Sequence, residues 1–108
     1  MEKARRLHGA VSMEERRQRL GQYYTLIWHD PAGAGQGPVE ARFEYRQGSS
    51  GSRVKQLSRA FPASASEGTA EFAVIGDDFL TQGKVLAWRA SVRRAGREVA
   101  HQQSYLWD

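Results

Sequence analysis

At 108 residues, with no cysteine, 40% hydrophobic content and eleven glycines, the chain has the size of one domain with one core, and it has neither disulfides nor thiolate metal sites. Its net charge of +4 sits mostly on the first twenty residues, where six Lys/Arg meet three Glu; the remainder holds ten basic and nine acidic groups and is nearly neutral. No run approaches the ~18–20 apolar residues that span a membrane, the amino end lacks an apolar signal core, and the absence of Asn removes any N-glycosylation acceptor. Taken as it stands the chain reads as cytoplasmic, and the same residues would suit the soluble part of a longer cell-envelope precursor.

Residues 1 to 21 read as a charged helical arm. Ser12-Met13-Glu14-Glu15 fits a capping box, Glu14 and Glu15 fall at the positive end of the helix dipole, Arg16, Arg17 and Arg19 fall toward the negative end, and Gly21 is placed to end the helix. From Tyr23 the period changes to two. Tyr23 to His29 is an aromatic and β-branched run, apolar on both sides, expected to be a strand buried over most of its surface. Residues 30 to 38 make a loop. The next stretch, Val-Glu-Ala-Arg-Phe-Glu-Tyr-Arg at 39–46, alternates apolar and charged at every step, so Val39, Ala41, Phe43 and Tyr45 line one face and Glu40, Arg42, Glu44 and Arg46 the other. Gln47 to Ser52 is expected to form a flexible turn. Residues 53 to 61 form a strand whose Val54, Leu57 and Phe61 break a strict period, which implies a bulge. Ala70, Phe72 and Val74 give a further inward face, and Phe79 and Leu80 plug the end of the core within a Gly76 to Gly83 crossover. In the last pair Leu86, Trp88, Ala90 and Val92 alternate, Ala95-Gly96 turns, and Arg97 to Trp107 returns.

Strands spaced every 10–15 residues without helical crossovers predict an all-β fold: a small antiparallel β-sandwich of six to seven strands over residues 22–108, preceded by the arm at 1–21. A penultimate strand with alternating aromatics, Lys84 to Val92, follows a crossover and hairpins into Val99 to Tyr105. This order resembles immunoglobulin-like and fibronectin type III domains. The chain departs from them in having no cysteine and in placing Trp88 late, and no binding residues carry over from the resemblance.

Few residues point to chemistry. Gly33-Ala34-Gly35-Gln36-Gly37 follows a strand as a dinucleotide loop would, but Pro38 stands where the third glycine is required, and a strand rather than a helix comes next. His29 and His101, with Asp30, are metal candidates only if the first and last strands adjoin; no two histidines have the spacing that aims them together, so no metal is expected. Asp77-Asp78 lacks the alternation of a calcium loop and suits a structural turn. No nucleophile elbow and no acid–base pair is present, so the chain is expected to be neither an enzyme nor a cofactor carrier.

Two surfaces remain. Tyr105, Leu106 and Trp107 cannot all face inward from one terminal strand, so they mark an open edge for a protein partner or a second copy. Arg16, Arg17, Arg19, Arg89, Arg93 and Arg94 make a candidate anion-binding group, answered by Glu40, Glu44, Glu71 and Glu98 if the face is simply solvated. The expected function is a non-catalytic protein-interaction or accessory module. The alternative is electrostatic binding of nucleic acid or anionic surfaces by the arginine-rich arm and C-terminal hairpin.

Overall fold

A computed structural model describes residues 9–49 and 53–107. They form seven strands in two antiparallel sheets, with β1 (Ala10–Gln18), β2 (Gly21–His29), β3 (Val39–Gln47), β4 (Lys55–Phe61), β5 (Glu67–Ile75), β6 (Val85–Arg94) and β7 (Arg97–Gln103). A three-residue 3-10 turn, Pro31–Gly33, precedes β3, and a short helix α1 (Gly76–Gln82) joins β5 to β6. One sheet has the order β1-β2-β5 and the other β4-β3-β6-β7.

The expected helical arm is corrected within the described residues. Ala10 to Gln18 is a strand, paired with β2 from Ala10 against His29 to Gln18 against Gly21. Two-residue spacing places Val11 and Met13 on the same side, where both pack on the core. Pairing and burial outweigh the helical signal of Ser12 to Glu15, which could offer only a thin apolar stripe. Gly21 opens β2 instead of ending a helix, and the expected part of the arm at 1–8 lies outside the described residues.

The charge-alternating segment is the centre of the second sheet. Val39, Ala41, Phe43, Tyr45 and Gln47 are all buried, while Glu40, Arg42, Glu44 and Arg46 are half-buried on the outer face. From the opposite sheet Tyr24, Leu26, Trp28, Ala70, Phe72 and Val74 close the core. Phe43 stacks on Phe72 across the two sheets (5.5 Å between ring centroids), touches Tyr24 (4.6 Å) and lies 6.5 Å from the half-buried Trp88. Tyr23 and Thr25 on the outer side of β2 are half-buried, but Ile27 and His29 are exposed, so β2 is less enclosed than its composition implies.

Three further expectations change. β4 pairs with β3 without interruption from Phe61 against Val39 to Lys55 against Tyr45, so it has no bulge, and Val54 lies before the strand. The bulge is in β6: Arg46 pairs with Ala87 and Gln47 with Val85, leaving Leu86 without a partner on β3 and turned outward. Of the two expected plug residues, Phe79 packs on the core, but Leu80 is exposed. The β6–β7 turn is as read. Ala95 (φ 52°) and Gly96 (φ 82°) are both left-handed, the conformation a two-residue hairpin turn needs.

Candidate interaction surface

The polar clusters are built around core-facing residues and find most of their hydrogen-bond partners within the fold. Arg94 shares its parity with Ala90 and Val92, so it points inward, opposite Val39. Its Nε donates to Asp30 (2.8 Å), and its terminal nitrogens donate to the carbonyls of Gly37 (2.9 Å), Ala63 (3.1 Å) and Ala65 (2.7 Å). Both members of the pair are buried. A buried guanidinium is tolerable only with such a full set of acceptors. Here it ties the β2–β3 and β4–β5 connections to the end of β6. The cavity over this pair, about 630 Å³, is an open hollow lined by Gly33, Gln36, Arg97 and Glu98 among others.

At the other end of the molecule, Asp78 of α1 accepts hydrogen bonds from Tyr45 (3.0 Å) and Lys55. Gln47 donates to the carbonyls of Asp78 (3.1 Å) and Gly83 (2.9 Å). Burial pushes the Asp78 carboxyl up, but the hydrogen bonds from Lys55 and Tyr45 outweigh it and hold the group below the usual range. Burial, then the bond to Asp78, pushes the Tyr45 phenol up. A third cluster crosses between the sheets. Gln22 accepts from the Val85 amide (2.7 Å) and donates to Glu15 (2.9 Å) and Tyr24 (3.1 Å).

The expected anion-binding arginines are placed as follows. Arg94 is removed from the surface by the geometry just described. Arg89 is held bidentately by Glu98 (3.0 and 2.9 Å), and this bonding lowers the Glu98 carboxyl. Arg93 donates to the Gly96 carbonyl (2.8 Å), Arg17 pairs with Glu15 (2.8 Å), and Arg16 lies over the Tyr23 ring (5.4 Å). Arg19 is exposed in the β1–β2 turn. Arg16 and Arg17 stand on the first sheet and Arg89 and Arg93 on the second, so the group is divided between two sheets. His29 and His101 are exposed, His101 beside Glu98 (3.1 Å), and Asp30 is committed to Arg94. Among the described residues no group of three His, Asp or Glu could hold a metal ion.

Tyr105, Leu106 and Trp107 do not continue the edge strand. β7 stops at Gln103, and residues 104–107 form a turn held against β6, where the Trp88 amide donates to Ser104 Oγ (2.9 Å) and the Ser104 amide to the Trp88 carbonyl (2.9 Å). Arg46, on the outer face of β3, stacks on the Trp107 ring (4.8 Å) and donates to the carbonyls of Leu106 (3.1 Å) and Trp107. Tyr105 is left 97% exposed and Leu106 63%.

These two residues belong to a larger feature. The β1–β2 turn, the end of β5, α1, the starts of β4 and β6 and the C-terminal turn all lie at one end of the sandwich. The pairing of Gly21 with Ile75 and the Val85–Gln22, Gln47–Gly83 and Tyr45–Asp78 bonds fix that arrangement. Eight large apolar residues are strongly exposed among the described residues, and only Ile27 lies away from this end. Leu20, Val54, Ile75 and Leu80 join Leu86, Tyr105 and Leu106 there. A cleft of about 500 Å³ runs between the β1–β2 turn and α1, walled by Leu20, Tyr23, Ile75 and Leu80, with Arg19 alongside. Periodicity could not reveal this pole, because its residues come from turns, a bulge and a helix end. What they share is position in the topology.

The fold and surface define a small all-β, two-sheet domain with one apolar pole. No protein-family model matches the chain, and no curated protein matches it. No helix of the described residues is long and apolar enough to cross a membrane.

Proposed function

We propose that this chain is a non-catalytic interaction module, an immunoglobulin-like or fibronectin type III-like sandwich that docks onto a larger surface by its apolar pole. The observation that carries this reading is the gathering at one end of seven of the eight strongly exposed large apolar residues among the described ones. Exposed apolar patches on a folded domain mark contact surfaces. Support for the sandwich type comes from the strand partition. A constant-type immunoglobulin domain sets its first, second, fourth and fifth strands against its third, sixth and seventh, and this chain differs only in carrying its fourth strand on the other sheet.

Edge pairing draws less support than the pole. Edge strands β1 and β4 carry the charges that discourage strand addition, Glu14 to Arg17 on one and Lys55 and Arg59 on the other. Arg59 also reaches across to the carbonyl of Glu71 on β5, a third edge. Electrostatic binding by the arginine group is the weaker alternative, because Arg17, Arg89, Arg93 and Arg94 already have internal partners.

The test is site-specific photo-crosslinking in cells producing the full chain, with the reactive residue at Leu86, at Tyr105, or at Ala95 on the opposite end. Adducts, protein or lipid, are expected from the two pole positions and not from the hairpin tip. Equal labelling from Ala95, or none from the pole, would overturn the reading. A salt titration separates the electrostatic alternative, whose affinity would fall steeply between low and physiological salt.

A further inference from the structure

Resting on that docking reading, we propose that the surface met by the pole is an anionic lipid bilayer. Leu20, Val54, Leu80 and Leu86 project from four separate segments around the end of the sandwich, each at least 46% exposed. Fingers spread in this way suit a surface that yields to whatever enters it and demands no matching shape. Burial of apolar side chains at the headgroup boundary, joined to attraction for anionic lipid, is the physics of peripheral membrane binding.

The charges at the pole discriminate among occupants. Arg19 adjoins Leu20, Arg53 adjoins Val54, and Lys84 stands two residues before Leu86; all three are exposed and none has an ion-pair partner among the described residues. Arg46 stacks on Trp107 and bonds the Leu106 and Trp107 carbonyls, and among the described residues no carboxylate pairs with it. Asp78 is neutralised by Lys55, which leaves Asp77 as the exposed acid among the described residues of the pole, and the pole is positive. Two copies meeting pole to pole would set these cations against one another. Lysine, which stands at position 84, is depleted at the core of protein interfaces. Lipid phosphates would answer all four cations, with the Lys and Arg stems lying along the apolar fingers. Tyr105 and the half-buried Trp107 are the amphipathic aromatics that favour a boundary between water and hydrocarbon.

The experiment is sedimentation of the full chain with vesicles of phosphatidylcholine alone or mixed with phosphatidylglycerol, at rising salt, with the thermal midpoint of every variant checked for folding. Binding to the anionic vesicles is expected, at least about tenfold tighter than to the neutral ones and weakening with salt. Leu80→Glu and Leu106→Glu should each weaken it about tenfold or more. Lys84→Glu should weaken it on anionic vesicles alone, and Ile27→Glu, exposed but away from the pole, should leave it unchanged. No sedimentation with anionic vesicles at low salt would overturn the proposal, as would equal losses from Ile27→Glu and Leu80→Glu. Protein adducts from Leu86 and Tyr105 without vesicle binding would sink the lipid surface while leaving the docking reading standing. Absence of both would end both.

Discussion

Arg94 shows how far one side chain can be misread from its type. In sequence it stands beside Arg93 as half of a basic dipeptide; in the fold it is 5% exposed and fastens two connections to β6. Arg94→Ala would leave Asp30 buried and alone, and we expect a loss of about 3–5 kcal/mol in denaturant unfolding, with anion binding unchanged. Gly33→Ala should reproduce part of that loss, because a Cβ there would run into the Asp30 carboxylate and the Arg94 Nε. Asp78 makes a prediction in pH. Its folded-state carboxyl lies below its ordinary value of 3.8, so its contribution is complete above that value and is lost as pH falls through the lower folded value. Asp78→Asn should flatten the acid limb of a stability-against-pH curve, and an unchanged limb would show that Asp78 contributes nothing there.

Among the elements, β1 separates local preference from tertiary demand. A helical arm would tolerate a charge at position 13, whereas Met13→Asp on a core-packed strand should cost about 1–3 kcal/mol in denaturant unfolding. The sandwich itself was legible wherever a strand had one dry and one wet face. Val39 to Arg46, Ala70 to Val74, and Ala90 with Val92 could be assigned to faces by parity alone, and the Ala95-Gly96 turn by its residues. What could not be read was set by neighbours. Ser12 to Glu15 carry a helix signal that pairing with β2 overrides, Leu86 is turned out by a bulge visible only in the register with β3, and Trp107 leaves the strand because Arg46 holds it elsewhere. Trp107→Ala should free the C-terminal turn, seen as faster amide exchange at Ser104 and Trp107, with global stability reduced by no more than about 1 kcal/mol.

For the whole molecule the strand pattern makes two unlike ends. The end with the Pro31–Gly33 turn and the Ala95-Gly96 hairpin is tied by a buried ion pair and exposes small or polar residues. The other end gathers the exposed leucines, and the candidate site could be found only once the turns had been placed together in space. Because Ala10 pairs with His29 far from that end and Arg46 pins residues 106–107 beside it, the two flanks of the domain are not equivalent as handles. A chain immobilised through its amino side would stand on a sensor chip with its leucines facing the flow, whereas a fluorescent protein fused after residue 107 would hang over them as a bulky shade.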